Sequence, residues 1–518
     1  MKPYERISEI LGRRVKPVMT VPDGAQAGDL IIEPFTYKAG AVEYAADCGT
    51  LVARENRCDP ASRLIALPVT RIRATGSNAA EPIFCLSGGP GFSNMEFTRV
   101  PWFIEDRDVV LVGYRGVDGS VVLDGPEVGE HIKNLPGKLL SAASIDTWAA
   151  ALTRCAERLQ SEGVDLDGYS VVEVVDDVES ARVALGYERV NLYSVSYGTR
   201  LAMIYAWRYP ESVYRSAMVA VNPPGYMFYY DPAVIDEQLE HYAGLCAQDP
   251  KCSARTDNLA ETIRTVSRTM PERWLGLPID ADMVRMACFE SLNTTQAAAL
   301  VFDVWLAAAK GDYSGMVLLT LLGPRMFAQA TLWGENIAKA ANADDELTRD
   351  LRAAMNLSDS ILGSPRSELV AVAKGWPVNT IPAEYCQVQP SDVETLLLSG
   401  NVDFWTPLQF AEDELLPHLS KGQHVVVSES GHGEMLRRQP EASRRLLSSF
   451  YETGVGDDSL FTYQPWDFHV RLGFPAMAKL IVAAIALVVA GMLALLWFVI
   501  HLLQNQSRVS PAPKSTSD

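Results

Sequence analysis

Short apolar runs punctuate the first half of the chain, each closed by glycine, proline or serine. Residues 64–72 (LIALPVTRI), 82–86 (PIFCL), 108–113 (DVVLVG), 190–195 (VNLYSV) and 216–221 read as strands. The first roughly alternates, and Pro68 marks it as an edge or bulged strand. Helical periodicity fills residues 145–160 and 171–185 between them. Strand–helix–strand alternation predicts parallel strands joined by crossover helices. At Asn222-Pro223-Pro224-Gly225 the texture changes. Residues 233–246, 259–270, 295–309 and 347–355 then carry helical patterns, with no buried strand among them. Strands resume at 393–400 and 424–427, and a closing helix is expected over 434–451. The pattern predicts an α/β core with a mostly parallel sheet, formed by residues 41–225 and 384–455. A helical lid, residues 226–383, interrupts it. Residues 1–40 read as an irregular lead-in with one short helix over 4–11.

The C-terminal end has a different character. Residues 480–500, LIVAAIALVVAGMLALLWFVI, hold no charge. About 21 residues rising ~1.5 Å each give roughly 31 Å, one hydrocarbon thickness. Trp497 stands near one end, where an interfacial aromatic is expected. A transmembrane helix is predicted over 480–503, after a linker at 456–479 and before a disordered Ser/Pro-rich tail at 504–518. Arg471 and Lys479 before the span balance Arg508 and Lys514 after it, so charge does not orient it. The first residues, MKPYERISEILGRRVKP, carry charges where a signal peptide needs an apolar core. On that ground the globular part is expected in the cytoplasm. The 8 cysteines weigh the other way, since Cys48 with Cys58 and Cys246 with Cys252 are spaced for disulfides.

Net charge of −19, spread along the chain, excludes nucleic acid as a partner, because phosphate backbones need clustered cations. There is no Cys-x-x-Cys pair and no histidine cluster, so neither a metal site nor a cofactor is expected.

The candidate chemistry centres on residues 190–210, VNLYSVSYGTRLAMIYAWRYP. A strand meets a knot of small residues, Ser194, Ser196 and Gly198, and an amphipathic helix follows. Ser196 occupies the apex of a nucleophile elbow, with Ser194 where glycine is commoner. Upstream, Ser87-Gly88-Gly89-Pro90-Gly91 follows a buried strand, and its backbone N–H groups are uncovered by side chains. One of them, with the N–H of Tyr197, suits an oxyanion hole. Asp403 and His432 each follow a late strand. A serine hydroxyl is a poor nucleophile until an imidazole takes its proton and a carboxylate orients that imidazole. The order Ser196, Asp403, His432 predicts such a triad. Glu412, Asp413 and Glu414 compete with Asp403 but fall on an expected solvated helix face.

Five motifs in this order, SGGPG at 87–91, YRGVDGS at 114–120, SVSYGT at 194–199, SGNVDFWTP at 399–407 and SGHG at 430–433, resemble the prolyl and tripeptidyl aminopeptidase branch of the α/β-hydrolases. The resemblance covers residues 48–450. It implies Ser196 as nucleophile, Asp403 as acid and His432 as base. Its oxyanion donors fall on Tyr197 and a loop glycine, Gly89 or alternatively Gly88. It also implies removal of residues from a peptide's free N-terminus, with lid acids binding the amine; Glu237, Glu240 and Asp303 are the candidates. The sequence departs from the family at Ser87, where histidine is usual, at Gly113-Tyr114, and at Val219-Ala220, where Asp-Gly is usual. The expectation is a membrane-tethered serine hydrolase acting on a peptide or small acyl substrate, an exopeptidase before an esterase or amidase. A non-catalytic binding protein on the same fold is the alternative of another class.

Overall fold

The computed structural model describes residues 19–77, 80–226, 230–341, 360–367 and 370–508. The helices expected at 4–11 and 347–355 and the tail beyond 508 lie outside the described residues. Nine strands make one sheet: β1 (Leu30–Ala39), β2 (Val42–Arg54), β3 (Leu64–Ile72), β4 (Ile83–Leu86), β5 (Val109–Val112), β6 (Val190–Val195), β7 (Val213–Val219), β10 (Glu394–Gly400) and β11 (Gly422–Val427). Two-residue strands β8 (Arg273–Trp274) and β9 (Leu277–Pro278) pair separately as a hairpin. The sheet order is β1-β2-β3-β5-β4-β6-β7-β10-β11. The first three pairings are antiparallel and the rest parallel.

Two expectations are corrected at the antiparallel end. Residues 30–39 are no irregular lead-in: β1 pairs with β2 from Leu30↔Leu51 to Ala39↔Val42. As the edge strand it leaves residues 31–34 exposed on both faces, with Pro34 among them, and only residues 35–39 alternate between buried and exposed side chains. Strand β3 is interior rather than edge, flanked by β2 and β5. Pro68 is tolerated because the β3–β5 ladder ends beside it at Val69↔Val112, while the Pro68 carbonyl still accepts from Gly113 N–H at 2.8 Å.

Helices α1 (Pro126–Lys133), α2 (Ala142–Ser161) and α3 (Val171–Leu185) precede the elbow strand, and α4 (Tyr197–Arg208) follows it. Ser141 and Ser170 cap α2 and α3 with side-chain oxygens, and Gly186 closes α3 in the left-handed conformation. Between β7 and β10 the chain builds α5 (Pro232–Gln248), α6 (Pro250–Ser253), α7 (Leu259–Thr269), α8 (Ala281–Ser291), α9 (Thr295–Ala308), α10 (Ser314–Ala328) and α11 (Trp333–Ala341). The helix expected over 434–451 is broken by Pro440 into Met435–Arg438 and Pro440–Thr453.

Apolar side chains fill both faces of the sheet, and a separate core binds α5 through α10 together. Val402 and Phe404, on either side of Asp403, are buried in that helical core. The loop after β10 is thereby clamped between sheet and helices, which fixes the carboxylate between them. The C-terminal helix, Phe474–Arg508, packs its first turn against α9 and α10, is exposed over residues 479–504, and is long and apolar enough over Phe474–Gln504 to cross a membrane.

Candidate active site

Strand β6 ends at Val195, and Ser196 turns the chain at φ 56°, ψ −126°. A non-glycine residue there costs on the order of 1–3 kcal/mol, which the surrounding packing must hold. Ser196 N–H donates to Val219 O at 2.8 Å, tying the apex to the neighbouring strand. Gly198 is required by close approach: a Cβ there would lie 2.1 Å from Leu86 O, where α4 begins against the end of β4. Position 194 tolerates serine because its buried hydroxyl donates to Ala217 O at 3.1 Å.

The 87–91 loop lies directly over the apex. A Cβ on Gly88 would sit 2.8 Å from Ser196 Cβ and 3.4 Å from its Oγ. Ser87 N–H donates to Asn94 Oδ1 at 2.8 Å, and Asn94 in turn donates to Cys85 O and Val112 O. The N–H groups of Gly88, Gly89 and Tyr197 donate to no acceptor among the described residues.

The imidazole comes from the opposite side. His432 Nδ1 lies 2.8 Å from Asp403 Oδ2 and 3.1 Å from Oδ1. Asp403 is buried, and its Oδ1 accepts from the N–H groups of Trp405 and Thr406, both at 2.9 Å. The Thr406 hydroxyl donates to Oδ2 at 2.7 Å. Four donors around one carboxylate hold it aimed at Nδ1 and turn Nε2 away from it. Trp405 covers the imidazole edge-on, its ring 5.2 Å away. Gly433, φ 60°, carries the chain past β6, where a Cβ would lie 3.9 Å from Val195 Cγ1. The histidine loop and the elbow are therefore neighbours. The Ser196 hydroxyl forms no hydrogen bond among the described residues; in free enzymes this contact is often long and tightens on substrate.

Two family profiles match this chain: the α/β hydrolase fold over residues 81–268 and the TAP-like protein family over residues 359–459. This chain has the α/β-hydrolase fold and is similar to its aminopeptidase-like branch. Tripeptidyl aminopeptidase of Streptomyces lividans is 28% identical over 193 residues, 34% of this chain and 35% of that protein. Serine protease Hip1 of Mycobacterium bovis is 25% identical over 234 residues, 40% of this chain and 43% of that protein. The matched region thus spans well under half the length of either relative. A solved serine hydrolase from Cycloclasticus zankles aligns at 11% identity and TM-score 0.35, covering 81% of this chain and 98% of that one.

The three acids offered for amine binding lie on two helices, Glu237 and Glu240 on α5 and Asp303 on α9. Glu237 is exposed and accepts from Gln409 Nε2 at 3.2 Å. Glu240 is exposed and faces Arg264 at 3.4 Å. Asp303 pairs with Arg255 at 2.7 Å and packs against Gly473, just before the C-terminal helix. Glu412, Asp413 and Glu414 sit on a π-helical turn, Phe410–Leu415, outside the histidine's contacts.

Several residues that hold the site escaped the sequence reading. His432 N–H donates to Asn293 O at 2.7 Å, and Gly431 is required because a Cβ would lie 2.5 Å from that same carbonyl. Buried Glu434 accepts from Gly431 N–H and Thr295 N–H, both at 3.0 Å. A second group grips the 87–91 loop from α11 and the turn before it. Thr331 Oγ1 and Asn336 Nδ2 both donate to Pro90 O, at 3.0 and 3.2 Å. Glu335 and Lys339, both fully buried, pair at 3.2 Å, and Lys339 also donates to Tyr169 O at 2.7 Å. Burial pushes Glu335 up and Lys339 down, and their pairing opposes both shifts. Only Thr406 had a local signal, as the hydroxyl residue just after Asp403.

Proposed function

We propose that this chain is a membrane-anchored serine hydrolase that acylates Ser196 and takes peptides from their free N-termini. The observation that carries the reading is the Asp403–His432 bond set beside a strained serine elbow with free N–H donors. Ser196 Oγ attacks the scissile carbonyl carbon while His432 Nε2 takes the hydroxyl proton. Asp403 holds Nδ1–H and stabilises the imidazolium. The carbonyl oxygen becomes an oxyanion facing Tyr197 N–H and Gly88 or Gly89 N–H. His432 returns the proton to the leaving amine, an acyl-enzyme remains, and water activated by the same imidazole releases it.

The peptidase assignment is supported by the names of the relatives, a tripeptidyl aminopeptidase and a serine protease. An esterase would use the same triad. Fluorophosphonate labelling of the full chain, with Ser196→Ala as control, tests the nucleophile: absence of a Ser196 adduct removes the hydrolase reading. Turnover of aminoacyl-naphthylamides with free and acetylated amines, against nitrophenyl esters, then separates exopeptidase from esterase.

The C-terminal helix supports anchoring: residues 480–500 hold no charge and are exposed along their whole length. For the side of the membrane, the Cys246–Cys252 disulfide favours an oxidising compartment over the cytoplasmic expectation. Protease protection of sealed vesicles decides the side.

A further inference from the structure

Helix α10 begins at the root of the C-terminal helix. Ser314 Oγ lies 3.4 Å from Pro475 O, a Cβ on Gly315 would lie 3.1 Å from the Pro475 ring, and Asp312 pairs with Lys479 at 2.6 Å. These contacts fix the start of α10 about one turn from Leu480, where the charge-free run begins. From that fixed point α10 runs along the body, burying Met316, Val317, Leu319 and Gly323. Its outer face is not polar. Leu321, Leu322 and Met326 are exposed, Met326 at 68%. Asp280 N–H donates to Thr320 Oγ1 at 3.0 Å, which holds the β8–β9 hairpin against the same helix. That hairpin exposes Leu277 and, at its tip, Leu275 at 81%.

Five exposed large apolar side chains on two touching elements exceed the scattered single residues normal for a soluble surface. Leu321 lies about 9 Å along α10 from Gly315, comparable to the depth at which amphipathic helices seat in a headgroup layer. Arg273 and Arg325, both exposed, flank the patch with the charge that anionic headgroups attract. We infer that the outer face of α10 and the tip of the β8–β9 hairpin rest in the headgroup layer of the bilayer that the C-terminal helix crosses. The partner is a lipid surface. The inference rests on the C-terminal helix being a true span.

The test uses the full chain in phosphatidylcholine–phosphatidylglycerol vesicles. These contain a phospholipid bearing a photoactivatable diazirine near the glycerol end of its acyl chain. After illumination, adducts are mapped by mass spectrometry. Peptides holding residues 321–326 and 275–277 should carry adducts several-fold above those holding Ile31 and Val42, which are exposed apolar residues on the distant β1–β2 edge. Adducts on residues 480–500 with only background on α10 and the hairpin overturn the inference and leave the span intact. A patch protected by chain-to-chain contact, with no lipid adduct, also overturns it. Background at 480–500 as well removes the span reading, and the inference falls with it.

Discussion

The Thr295 amide and hydroxyl both donate to Glu434, at 3.0 and 2.9 Å. That one carboxylate joins the first residue of α9 to the loop holding His432, because it also accepts Gly431 N–H. The base is therefore set partly by the inserted helices and not by the sheet alone. Glu434→Gln keeps the shape but replaces one acceptor oxygen by a donor, leaving a buried N–H or O–H unpaired. Stability should fall by about 1–3 kcal/mol. Turnover should fall by more than the folded fraction does, because the His432 ring loses its fixed position. Denaturation midpoints and kcat measured on the same preparation check this. A loss of stability with unchanged kcat refutes the link.

Pro90 O receives two donors, from Thr331 and Asn336, on the loop whose amides face the nucleophile. Removing both with Thr331→Val and Asn336→Leu should release that loop. The expected result is a fall in kcat of roughly tenfold or more with little change in KM, since the loop acts on the oxyanion and not on ground-state binding. Thr331→Ser should retain most of the activity. A matched rise in KM with kcat intact would point to substrate binding instead.

The triad makes the sharper demand. Asp403→Asn leaves an amide beside Nδ1, favours the wrong imidazole tautomer, and should lower kcat on the order of 10³–10⁴-fold with the fold retained. Gly88→Ala places a methyl 2.8 Å from Ser196 Cβ. It should block fluorophosphonate labelling while circular dichroism stays unchanged.

Strands β3 to β7, β10 and β11 and helices α2 through α5, α7 and α9 were legible in the sequence, as was the placing of Ser196, Asp403 and His432 each just past a strand. Each rests on a local signal: a buried apolar run, a cap, or a small-residue turn after a strand. What the sequence hid depends on distant backbone. Gly431 looked like freedom for a histidine loop, yet its space is taken by Asn293 O, 138 positions earlier. Strand β1 was missed because Pro34 interrupts it and residues 31–34 are exposed on both faces, which leaves alternation only over residues 35–39. Glu335 and Lys339 stand i,i+4 on α11, a spacing with no local sign of burial, and only packing against Tyr169 and the 87–91 loop buries them. The amine-binding acids could not be chosen by charge alone, and Asp303 proves to be paired with Arg255.

A pH-dependent tie runs alongside the Glu434 link. His241 on α5 meets the buried carboxylate of Glu429 at 3.1 Å, at a residue with φ 53° just before the histidine loop. The hydrogen bond to Glu429 raises His241 above its ordinary 6.5, outweighing partial burial. A raised folded-state value means the stabilisation is fully present below the unfolded value, about 6.5. It is lost as pH rises through the higher folded value. The denaturation midpoint should therefore drop as pH rises above about 6.5 in the native chain. His241→Gln, which can still donate to Glu429 but cannot ionise, should flatten that slope while leaving the midpoint at high pH nearly unchanged. An identical slope in the variant would show that the pH dependence originates elsewhere.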